Sequence, residues 1–198
     1  MPQEAILTFW FGPTPDDLSQ EAIMRWFRAS ASFDQEIAQR FGKLQKAAVQ
    51  GAFGDWKETP RGRLALLILL DQFGRNLHRQ SPKAYENDPY CQELSLDGVE
   101  LGQDKELGTF ERVFFYMPLM HSENLLHQKI SLRLYERLVS DAPAAVKGSI
   151  SRSLEAAQRH LEIIEAHGRF PHRNALLGRD NTAKEEAYLE ARAPGSML

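Results

Sequence analysis

Phe33-Asp34-Gln35-Glu36-Ile37-Ala38-Gln39-Arg40-Phe41-Gly42-Lys43-Leu44-Gln45-Lys46-Ala47-Ala48 decides the fold class. Its apolar residues Phe33, Ile37, Phe41, Leu44 and Ala48 recur at steps of three and four, which places them on one stripe of a helix. The same spacing returns at Leu154, Ala157, Leu161 and Ile164, and no comparable run of strict alternation occurs in the chain. Thr14-Pro15, Thr59-Pro60 and Ser81-Pro82 each set a capping hydroxyl before a proline suited to the first helical position. Thr182-Ala183-Lys184-Glu185 has the form of a capping box. Gly51, Gly102 and Gly168 are natural stops. Between these signals the sequence predicts an all-α protein with helices over 16–29, 33–50, 60–73, 82–101, 108–117, 122–140, 144–167 and 182–192. Short connections predict that consecutive helices pack as antiparallel hairpins.

Within 60–73, Leu64-Ala65-Leu66-Leu67-Ile68-Leu69-Leu70 is apolar on every side, so this helix must be central. Asp71 follows directly, and a carboxylate at the end of a buried helix needs a partner; Arg75, one turn on, is the nearest. The aromatic opening Ile6-Leu7-Thr8-Phe9-Trp10-Phe11-Gly12 is expected to pack as an arm against the first helices. Phe110, Phe114, Phe115 and Tyr116 read as core, with Met117 and Met120 filling gaps. No linker or repeat divides the chain, so residues 1–192 are expected to form one domain followed by a loose tail, 193–198.

The 24 basic residues against 27 acidic ones leave a net charge of −3, which gives no global field for nucleic acid or anionic lipid. The longest apolar run is the seven residues Leu64–Leu70, whereas a spanning helix needs about 20. Met1-Pro2-Gln3-Glu4 lacks the basic start of a secretory signal. With a single cysteine, Cys91, which reads as a small core residue, these features place the protein in the cytoplasm, away from membrane and nucleic acid. No motif calls for a cofactor.

Three polar stretches interrupt apolar sequence and are expected to meet: Asp71-Gln72-Phe73-Gly74-Arg75-Asn76, His121-Ser122-Glu123, and His167-Gly168-Arg169-Phe170-Pro171-His172-Arg173-Asn174. From His167 to Arg179 there are three arginines, two histidines and no acidic residue. Guanidinium forks suit a carboxylate or phosphate, so one reading is an anion pocket in which Arg75, Asn76, Arg169, Arg173, Asn174 and Arg179 hold the ligand. His121 and His172 would then exchange protons, with Asp71 and Glu123 orienting them, and hydrolysis is the reaction class such a site would serve. The other reading is that the arginines pair with Asp71, Glu123 and other acids to pin loops onto the bundle.

A metal centre drawn from His121, Glu123, His127, His160, His167 and His172 is a further alternative. Its spacing is poor, and Glu123 with His127 reads as an i,i+4 pair. Ser122 is expected to cap the helix that begins there, and His160 to sit beside the apolar stripe as a hydrogen-bonded rim residue.

Phe9-Trp10-Phe11-Gly12, Leu69 to Asn76, Phe115 to Glu123, and Gly168 to Asn174 with Leu177-Gly178-Arg179 together resemble the mainly bacterial family catalogued as domain of unknown function 924. The resemblance spans about residues 5–190. It implies a tetratricopeptide-like superhelical bundle and brings no activity. The family favours proline where this chain has Gly74 and an aromatic residue where it has His167. The preferred expectation is therefore a pocket for a small anionic molecule, with a helical module that binds a protein partner and a metal-dependent enzyme as the alternatives.

Overall fold

The computed structural model describes residues 1–15, 19–28 and 30–191. Among them every regular element is helical, so the all-α expectation is borne out. No helix among them is long and apolar enough to cross a membrane. The chain packs as two compact units, Met1–Pro118 and the part from Leu119 onward. Residues 16–18 and 29 of the first expected helix, residue 192 of the last, and the tail 193–198 lie outside the described residues.

The first unit opens with α1 (Pro2–Phe11), where the sequence predicted an arm. Ile6, Leu7, Trp10 and Phe11 already hold helical spacing, but nearly every neighbour is apolar too, which hides the period. Next come α2 (Gln20–Phe27), capped by Ser19 and not by Thr14, and α3 (Ala31–Val49). In α3 the stripe Phe33, Ile37, Phe41 and Ala48 is buried. Thr59 caps α4 (Pro60–Leu67), which passes through a π turn at Ile68–Gln72 into α5 (Phe73–Leu77). Every residue from Leu64 to Phe73 is buried, as the unbroken apolar run predicted.

The helix expected over 82–101 is divided. Ser81 caps only a 3₁₀ turn at Pro82–Tyr85, and α6 (Asp88–Glu100) starts afresh. Pro89 lacks the N–H that a continuous helix would need there. Then α7 (Thr109–Met120) carries Pro118 within its last turn.

The packing of this unit joins elements distant in sequence. The π turn and α5 rest on α3, and α4 lies against α1 and α6, so the hairpin rule does not describe it. Its centre is aromatic: Phe9 lies 5.0 Å from Phe41, Phe41 5.1 Å from Phe73, and Trp26 4.8 Å from Phe114. Gly98 lets α6 approach closely, because a Cβ there would fall 2.6 Å from Arg63 Cδ and closer still to the ring of Phe115.

The second unit is built on α8 (Leu125–Asp141) and α9 (Ala144–His167), which pack extensively against each other across a two-residue connection, Ala142-Pro143. Gly168 ends α9 in the left-handed region with φ 70°, its N–H donated to Ile164 O at 2.8 Å. A 3₁₀ turn at Pro171–Arg173 follows, then the short α10 (Asn174–Leu177) and α11 (Ala183–Ala191). The capping box is present: Glu185 N–H donates to Thr182 Oγ1 at 3.2 Å and Thr182 N–H to Glu185 Oε2 at 2.7 Å.

Candidate functional sites

The polar stretch of the first unit lies on the π turn and α5. Asp71 is 2% exposed and sits 2.9 Å from Arg75 Nη1, the partner its burial demanded. Arg75 also grips Asp88, at the start of α6, through two donors at 2.9 and 3.1 Å, and reaches Ala84 O at 3.2 Å. Burial opposes the charge on Arg75, but Asp71 and Asp88 outweigh it and hold the guanidinium protonated more firmly than usual. Gln72 Nε2 donates to Asp71 and, at 3.2 Å, to Met117 Sδ.

Asn76 donates to Asp34 at 2.7 Å, alongside Arg79 at 2.6 and 2.9 Å. Gly74 lies inside α5, facing Gln45. Cys91 is fully buried, and burial first, then Asp71 and Asp88, pushes its thiol well up. It is the core residue that its isolation in the sequence indicated.

In the second unit the other two stretches meet. Glu123 accepts the N–H of Phe170 at 2.8 Å and two donors of Arg179 at 2.7 and 2.9 Å. Burial alone would raise the Glu123 carboxyl, but the hydrogen bonds from Arg179 and Phe170 hold it below the usual range. Arg179 Nε donates to Asn174 Oδ1 at 2.9 Å, and Asn174 Nδ2 to Asn181 at 2.8 Å. Arg169 turns to α11, where it donates to both oxygens of Glu185 at 2.6 and 2.8 Å and to Asp180 O at 2.8 Å. Those bonds from Arg169, with the Thr182 N–H, hold the Glu185 carboxyl well below its ordinary value. Glu185 is thus both capping residue and arginine partner, and only the first role shows in the sequence.

Arg173 is buried, donates to His121 O at 2.9 Å and lies over the Phe170 ring at 4.6 Å. The rings of His160 and His172 stand 5.4 and 5.6 Å from Phe170. His160 is 6% exposed, within the stripe and not at its rim. Its Nδ1 lies 2.7 Å from Ala156 O, and burial pushes its pKa down to about 4.

Two expectations change around His121. Asn124, not Ser122, caps α8, its Oδ1 accepting Leu126 N–H at 2.8 Å. Glu123 therefore precedes the helix and turns to Arg179, while His127 Nδ1 meets Ser122 Oγ at 3.0 Å. The buried Gln128, which sequence reasoning passed over, fastens this turn by donating to Met120 O and Ser122 O at 2.7 and 2.6 Å. Its only sequence signal is a polar residue on the buried face of α8. Among the described residues, no group of three or more histidine, cysteine, aspartate or glutamate side chains could hold a metal ion.

The order and length of these stretches have a counterpart in known proteins. The family described as bacterial protein of unknown function (DUF924) matches residues 6–193. The chain belongs to the DUF924 family. A protein of unknown function from Agrobacterium tumefaciens has a similar structure, with a TM-score of 0.81 and 33% identity over 96% of this chain and 97% of that one. No curated protein sequence matches. In this DUF924 chain Gly74 is absorbed into α5, and His167 packs its ring 5.0 Å from Tyr188.

Proposed function

We propose that this DUF924 protein is a helical interaction module, cytoplasmic and acting on a protein partner, in which the polar motifs brace the helices. One observation carries the reading: Arg75, Arg169 and Arg179 each hold a carboxylate of their own unit through two donors, on Asp88, Glu185 and Glu123. An anion arriving at any of these arginines would have to displace a carboxylate already held by two donors. A tetratricopeptide-like course of helices would suit such a module, although fold alone is a poor guide to function.

A second reading, the small-anion pocket, draws support from Arg173. Its guanidinium stacks on Phe170 beside the rings of His160 and His172 and against the carbonyl of His121, which gathers cationic and protonatable groups in one place. Melting temperatures across phosphates, nucleotides, carboxylates and divalent metals separate the two. The module predicts a flat panel, with Asp71→Ala and Arg169→Ala clearly destabilised. A rise of roughly 5–10 °C with one anion, the size expected near 100 times its dissociation constant, lost in Arg173→Ala, would replace the module with the pocket.

A further inference from the structure

The buried face of α8 carries two polar atoms that the fold leaves over. Gln128 and Ser131 are both 0% exposed and stand three positions apart on the stripe that continues through Leu134, Tyr135 and Leu138. Gln128 Nε2 donates to Met120 O at 2.7 Å and to Ser122 O at 2.6 Å, so both amide hydrogens are in use. Its Oε1 accepts no hydrogen bond among the described residues, and Ser131 Oγ makes none among them either.

Neither atom escapes by a local adjustment. Turning the Gln128 amide over would set Oε1 against the carbonyl oxygens of Met120 and Ser122, so the amide's own two bonds fix its orientation. Ser131 stands in the interior of α8, where the carbonyl one turn back is open to a serine hydroxyl, yet its Oγ does not take that bond. A buried amide oxygen and a buried hydroxyl left dry are each destabilising, and native proteins meet such groups with protein or with ordered water. Ser131 is also the smallest side chain of the stripe; a leucine there, as at 134 and 138, would occupy the ground beside Gln128.

We infer that Gln128 and Ser131 bind one internal water molecule, which donates to Gln128 Oε1 and shares a second hydrogen bond with the Ser131 hydroxyl. The spacing suits a single bridge. Side chains three apart on a helix start about 5–6 Å from each other, and two hydrogen bonds of about 2.8 Å meeting at one oxygen reach across about that distance. Water fits these atoms better than an ion, because an amide oxygen and a hydroxyl bring no charge and the hydroxyl serves as donor or acceptor. The water has a place in the architecture of the polar motifs. The Gln128 amide that it holds fastens the turn carrying His121 and Glu123, and those two receive Arg173, Phe170 and Arg179. The site goes beyond the interaction module and does not depend on it.

The test counts long-lived waters in the full chain by water-oxygen magnetic relaxation dispersion, in the wild type and in Ser131→Val, and locates them in a high-resolution crystal structure of each. Valine removes the hydroxyl and sets a methyl group where the water stands, while the Gln128 donors keep their carbonyls. The expected result is a wild-type crystal with one ordered water within hydrogen-bond distance of both atoms, and one long-lived water fewer in Ser131→Val.

An equal number of long-lived waters in the two proteins would overturn the site. So would a wild-type crystal in which the Ser131 hydroxyl turns directly onto Gln128 Oε1 or onto a carbonyl of α8. Where Ser131→Val does not fold, Ser131→Ala takes its place: it leaves the water a single partner, so the long-lived signal should be lost, and its survival undiminished would overturn the bridge. The melting panel that decides between module and pocket is untouched by either result, so each reading fails separately.

Discussion

His160 shows how one side chain writes a pH dependence into the fold. Its ordinary pKa is 6.5, and burial lowers it to about 4 in the folded protein. Above pH about 6.5 the ring is neutral in both states and costs nothing. As the pH falls from there towards about 4, the unfolded chain takes up a proton that the folded one refuses, so stability declines by about 3 kcal/mol in all. His160→Asn, which keeps a donor near Ala156 O, should flatten urea-denaturation stability between pH 6.5 and 4; an unchanged slope would assign it to other groups. Gly98 sets a steric limit of the same local kind. Gly98→Ala would press on the buried Phe115 ring and on Arg63 and should cost about 1–3 kcal/mol, measurable as a lower urea midpoint at constant slope.

Among the elements, α8 offers the sharpest test, because two residues compete for one role. Asn124→Ala should lower stability by about 1 kcal/mol by removing a cap. Ser122→Ala should act instead on the turn, through the lost contacts with Asn124 N–H at 3.1 Å and His127 at 3.0 Å, and leave α8 helical by amide exchange. Such choices mark where the sequence was legible. Helix α9 was readable residue for residue, because proline before it and glycine after it leave one solution. Helix α1 was not, since periodicity vanishes where almost every residue is apolar. The π turn was equally hidden: a helix apolar on all sides carries no phase from which an extra residue could be noticed. Asp71 with Arg75 was legible because the pair is local. Asp88 and Glu185 were not, because their arginines lie 13 and 16 positions away in sequence and nothing short of the fold joins them.

For the molecule as a whole, the arginine pairs set the response to acid. Glu4, Asp34, Glu123 and Glu185 are all held below their ordinary values, each with an arginine donating to it. A carboxylate whose folded pKa lies below its unfolded one contributes stability in full above the unfolded value, near 4, and loses it as the pH falls through the folded value. Acid unfolding should therefore steepen below about pH 4, after the gentler decline from His160, and Arg169→Ala should soften that second phase. The aromatic residues add a consequence of another kind. All three tryptophans, Trp10, Trp26 and Trp56, belong to Met1–Pro118, so indole emission observes the first unit and is blind to the second. Trp26 donates its Nε1 to Trp10 O at 2.8 Å, a carbonyl that Arg25 also reaches at 3.4 Å. A loosening of the first unit could thus be followed by its emission colour without any label.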